Sequence, residues 1–157
     1  MERMKVFISH KQEDAIEAKN ICDKLKELGV NAYLDVLDNI LMTGKDLTEH
    51  IKKNLNKCTD ILVVMSNKTK DSWWVPFEIG MAAQKDFPVV SYLLNNVSLP
   101  DYLEYWPALK KESDLDKYIK AKQDILSESS VERRHIFNSY NNKSETERFY
   151  DYLRKAL

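Results

Sequence analysis

The stretch Ile61-Leu62-Val63-Val64-Met65 sets five apolar side chains in unbroken succession between Asp60 and Ser66. Side chains alternate between the two faces of a strand, so such a run needs apolar cover on both sides. Helices on both faces of a parallel sheet provide that cover, and Asp60 to Ser66 therefore reads as a central strand.

The flanking pattern supplies the other layers. Met4 to Ser9 is a second short apolar run and reads as the first strand. Ala15, Ile16, Ile21, Cys22, Leu25 and Leu28 recur at helical steps, and Gly29 stands where a helix C-cap belongs. Val30 to Asp35 is a strand, and a loop from Asp38 to Gly44 leads to a helix carrying Leu47, Ile51 and Leu55. After the central strand, a polar loop from Asn67 to Asp71 opens a helix that runs through Ala83. Phe87 to Leu94 reads as the fourth strand and Tyr105 to Leu109 as a short fifth. Helices follow near Ser113–Leu126 and Glu145–Leu157, where Phe149, Tyr152, Leu153 and Leu157 recur at helical spacing. Ser127 to Ser144 is polar and aperiodic, a long loop or a short helix. Strands alternating with helices predict a doubly wound α/β sheet of about five parallel strands.

A chain of 157 residues is the size of one domain with one core. Lys and Arg total 24 against 25 for Asp and Glu, which gives no electrostatic reason to expect nucleic acid or an anionic membrane as partner. No apolar run approaches the roughly 20 residues that span a bilayer, and because Met1 to Lys5 leads straight into a strand-like stretch, no signal peptide is expected. A cytoplasmic location is expected. Cys22 and Cys58 lie in no metal or redox spacing and read as small core residues; no metal site is expected.

Doubly wound sheets bind ligands beyond the carboxyl ends of their strands, where the winding reverses. In the order 2-1-3-4-5 that crevice lies between the first and third strands. Ser9 and His10 end the first, and Ser66 ends the third. Loop polarity and helix capping are the plainer account of each. The segment Ser72-Trp73-Trp74-Val75-Pro76-Phe77-Glu78 says more. Asp71 or Ser72 suits a helix cap, and Pro76 suits the first turn. Trp74 and Glu78 are four apart and share a face. A carboxylate among Val75, Phe77, Ile79 and Met81 either reaches solvent at a rim or is held for a purpose. Its place near a helix start is expected to help keep it ionised. Of the adjacent tryptophans, one is expected on the sheet and the other at the crevice.

These residues resemble a family. Val6-Phe7-Ile8-Ser9-His10 with Glu13-Asp14, Tyr33-Leu34-Asp35 with a following loop to Gly44, the apolar strand Asp60 to Ser66, and Trp74-x-x-x-Glu78 are similar, in order and spacing, to the Toll/interleukin-1 receptor (TIR) domain. The resemblance covers residues 4–110, with 111–157 as a helical extension of a single domain 1–157. It implies a flavodoxin-like fold. For members that keep the glutamate, it implies an NAD nucleosidase or ADP-ribosyl cyclase. These enzymes cleave the nicotinamide–ribose bond to ADP-ribose or a cyclic isomer, with NAD as substrate and no cofactor. Bacterial members of this size act in anti-phage (Thoeris-like) signalling, in which a separate effector reads the product, and the family self-associates. Carried over, Glu78 is the catalytic carboxylate, and Ser9, His10, Asp35, Gly44, Ser66 and Trp74 are candidate substrate contacts. The loop departs from the family in lacking a Pro-Gly pair; its Leu37, Ile40, Leu41 and Met42 suit either burial or assembly.

Two other readings compete. Phe77-Glu78-Ile79-Gly80-Met81-Ala82 also looks like the glutamate motif of nucleoside deoxyribosyltransferases, although the Asp-Gly/Ser-Gly-Thr run that precedes that motif is missing. The third reading is a non-enzymatic TIR interaction module in which Glu78 is only a helix charge.

Overall fold

The structure, a computed structural model, describes residues 3–35, 44–69, 72–132 and 144–157. In chain order the elements are β1 (Lys5–Ser9), a 3-10 turn (Gln12–Asp14), α1 (Ala15–Glu27), β2 (Asn31–Leu34), α2 (Gly44–Leu55) and β3 (Asp60–Met65). They continue with α3 (Trp74–Gln84), β4 (Val89–Leu93), α4 (Asp101–Glu104), β5 (Ala108–Leu109), α5 (Ser113–Glu132) and α6 (Glu145–Ala156). The five strands form one sheet in the order β2-β1-β3-β4-β5, and every adjacent pair is parallel. The predicted α/β class and strand order both hold.

Strand alternation divides the core in two. Val6, Ile8, Leu62, Val64, Val90 and Tyr92 point to the face covered by α1, α5 and α6. Phe7, Ile61, Val63, Met65, Val89 and Leu93 point to the face covered by α2 and α3. All six residues of β3 are buried, as a strand covered on both sides requires. Burial of the large side chains at roughly 25 cal/mol per Å² on both faces is the main force holding the layers together.

Local chemistry ends the helices. Gly29, at φ +83°, closes α1 in a Schellman motif: Val30 N–H donates to Leu25 C=O and Gly29 N–H to Lys26 C=O. The same two bonds close α3, from Phe87 to Ala82 and Asp86 to Ala83, with Asp86 in the left-handed region at φ 58°. Ser72 caps the other end of α3, its Oγ accepting from the N–H groups of Trp74 and Val75 at 3.2 Å. Asp71, the other predicted cap, lies outside the described residues, as do Leu37, Ile40, Leu41 and Met42.

Several boundaries differ from expectation. The short α4 is an element that periodicity missed, and it takes up the chain before a two-residue β5. α5 continues to Glu132, so the first residues of the aperiodic stretch are helical. On α6, Phe149, Tyr150 and Leu153 are buried and Tyr152 packs partly against the same core while donating a hydrogen bond to Glu128 of α5, whereas Leu157, just past the helix, is 43% exposed.

Candidate functional site

The strand alternation that builds the core also aims the polar residues. Ser9 follows Phe7 by two and therefore faces α3, where its Oγ donates to Glu78 Oε1 at 2.7 Å. Asp35 follows Tyr33 by two on the same side, and its N–H extends the ladder to Ile8 C=O. Tyr33 donates its hydroxyl to Asp35 Oδ1 at 3.3 Å, and His50 Nε2 of α2 stands 3.4 Å from the same oxygen. Asp35, next to Ser9 across the β1–β2 ladder, and Trp74, one turn before Glu78 on α3, flank the Glu78 carboxyl. Ser9, Asp35, Trp74 and Glu78 thus meet at the carboxyl ends of β1 and β2, joined by Tyr33 and His50.

Glu78 is 0% exposed. Burial, then the hydrogen bond and charge of Asp35, push its carboxyl well above the usual range, against the donors Ser9 and Trp74. The expectation of an ionised rim carboxylate is corrected here. Glu78 lies one full turn inside α3, beyond the reach of the helix end, and desolvation outweighs the dipole.

The other sequence candidates separate from this cluster. Ser66 belongs with the opposite face; its Oγ donates to buried Asp14 Oδ2 at 2.6 Å and also accepts from Lys68 N–H. That bond ties the β3–α3 loop to the turn after β1. His10 is buried beside Ser9, its pKa lowered chiefly by burial, and its Nδ1 has no partner among the described residues. Gly44 is the exposed first residue of α2, its C=O accepting from Thr48 Oγ1. The tryptophans do not divide between sheet and crevice. Trp73 is 95% exposed, while Trp74 is half-buried with its ring 6.1 Å from that of Phe77. Tyr33 and His50 were not singled out beforehand. Alternation from Asp35 marks Tyr33, but no local pattern marks His50.

A separate apolar cavity of about 200 Å³ opens between α3 and the β4–α4 loop, walled by Val75, Ile79, Val97, Leu99 and Leu103. Of the sequence candidates only Ser66 touches it, so this apolar hollow beside α3 is not where the carboxyl groups gather.

Residues 6–132 match the model of the TIR domain (TIR_2), and the chain belongs to that family. No sequence among the curated proteins matches it. Among solved structures, it is similar to the TIR domain of a Toll-related receptor from Hydra magnipapillata, at 18% identity and a TM-score of 0.55, over 66% of this chain and 82% of that one. It is also similar to a 2-deoxyribosyltransferase from Bacillus psychrosaccharolyticus, at 12% identity and a TM-score of 0.57, over 73% and 91%. The SEFIR domain of IL-17 receptor B aligns at 12% identity and a TM-score of 0.52, over 72% and 89%. At these identities the likenesses speak for the fold. No helix among the described residues is long and apolar enough to cross a membrane.

Proposed function

We propose that this TIR domain is a cytoplasmic NAD glycohydrolase or cyclase with Glu78 as its essential carboxylate. The observation that carries the reading is the buried Glu78 carboxyl of the Trp74-x-x-x-Glu78 pattern, held by Ser9 and set near Asp35. An acidic pair enclosed in this way costs stability that an apolar or amide side chain would not, and such costs gather at functional sites.

The chemistry needs few groups. The ribose C1′–N bond of NAD breaks, and its electron pair leaves on neutral nicotinamide, so no general acid is required. Positive charge develops on the ribose, as in glycoside cleavage. The Glu78 carboxylate stabilises that cation or holds the ribose hydroxyls, and Ser9 fixes its orientation. Water captures C1′ and loses a proton to give ADP-ribose; a nucleophile elsewhere on the molecule gives a cyclic isomer. Trp74 offers an aromatic wall for a ring. Because Glu78 is enclosed, substrate reaches it only through local opening.

The product would serve as a signal for a separate effector in anti-phage defence. Trp73 and Phe77, standing 95% and 42% exposed around the start of α3, support self-association as the route to activity. The test is incubation at high protein concentration with NAD and, separately, with deoxynucleosides. Nicotinamide from NAD alone is expected. Free base from deoxynucleosides would favour the transferase chemistry. Release from neither, with the protein folded, would favour an interaction module.

A further inference from the structure

Each carboxyl of the site has one oxygen engaged and one orphaned. Glu78 Oε1 accepts from Ser9, and Asp35 Oδ1 accepts from Tyr33 and meets His50. Glu78 Oε2 and Asp35 Oδ2 are both buried with no donor among the described residues. Asp35 continues β2 beside Ser9, whose Oγ meets Glu78, so the two carboxyls are neighbours; an ionised carboxylate only accepts hydrogen bonds, and two orphaned oxygens on neighbouring carboxylates repel each other. A single proton makes one of them a donor and satisfies both.

We propose that Asp35 and Glu78 hold one proton between them, and that Asp35 is thereby the positioning residue that keeps Glu78 neutral until substrate arrives. The shared proton follows from the geometry; its effect on turnover rests on the glycohydrolase reading above. The groups that face the pair are Ser9 of β1, His10 of the following turn, Tyr33 of β2, His50 of α2 and Trp74 of α3. Burial and Asp35 favour the protonated Glu78, while Ser9 and Trp74 favour the anion. The positively charged nicotinamide–ribose of NAD favours the fully ionised pair, so its entry drives the proton out to water.

The test has two arms. Carboxyl-labelled protein is titrated by carbon NMR, with Asp35→Asn and Glu78→Gln assigning the two signals. Both signals moving together, with the second ionisation well above the ordinary carboxylate range, is the expected result. Separate, ordinary titrations overturn the proposal whether or not any substrate is cleaved. In the second arm, the acid limb of kcat/KM for NAD is followed in the parent, Asp35→Asn and Ser9→Ala. Asp35→Asn removes the competing charge and should move the limb down by about one pH unit or more. Ser9→Ala removes a donor to the anion and should move it up. A limb that stays in place in Asp35→Asn overturns the proposal even where the rate falls, because a merely structural loss does not shift a titration. Should no variant cleave NAD, the glycohydrolase reading fails and the NMR arm still decides the shared proton.

Discussion

At the scale of the residue, Glu78 opposes the stability of the fold that contains it. Its carboxyl is raised by burial and by Asp35, so the folded protein binds a proton that the unfolded chain has already released. Linkage then gives the sign. The contribution is intact below the unfolded value of about 4.3 and is lost as pH rises through the raised folded value. Glu78→Gln keeps the shape, keeps an oxygen for Ser9, offers an N–H to Asp35 and has nothing to ionise. The variant should melt a few degrees above the parent at neutral and alkaline pH, with the gap closing toward pH ~4. Melting curves that stay parallel across that range would contradict it. The carboxyl's place in the sequence suggested the opposite, because spacing locates Glu78 in α3 but does not reveal how completely Ser9, Asp35 and Trp74 enclose it.

Among the elements, a buried ion pair adds to the apolar packing that attaches α5 to the sheet. Lys122 Nζ meets Asp60 Oδ2 at 3.0 Å where β3 begins, and it lies 5.4 Å from the Phe149 ring centre of α6. Burial raises the Asp60 carboxyl despite that partner. Lys122→Met should leave an unpaired acid under the helix and cost about 3–5 kcal/mol in denaturant unfolding. Adding Asp60→Asn should restore much of the loss; a double variant no better than the single would show that the pair is not what matters there. Asp60 was visible in the sequence only as the polar boundary of an apolar run. Its partner is 62 residues away, and long-range polar pairing leaves no local pattern. Elements with strong periodicity were legible: β3 from its unbroken apolar run, α1 from its stripe and Gly29. The four-residue α4 was not, because one turn is too short to show a period.

For the whole molecule, alternating strands and helices made the sheet order readable, since right-handed crossovers leave few topologies. The placement of the candidate residues was readable in part. Ser9, Asp35, Trp74 and Glu78 do converge, whereas Ser66 turns to the opposite face and bonds Asp14, and Gly44 lies at the exposed start of α2. What decides between them is strand phase, and a shift of one residue exchanges the faces. Phase is firm within β1 and β3 but loosens one residue past their ends, where His10 and Ser66 sit. The same phase brings Ser9 to Glu78, and the proposed chemistry depends on that meeting. The most direct measurement is therefore NAD turnover by the parent and by Glu78→Gln at equal, high protein concentration, with both shown to be folded. The account predicts nicotinamide release by the parent and a loss of about two to three orders of magnitude in kcat for the variant, with KM little changed. Equal turnover by the two proteins would contradict it.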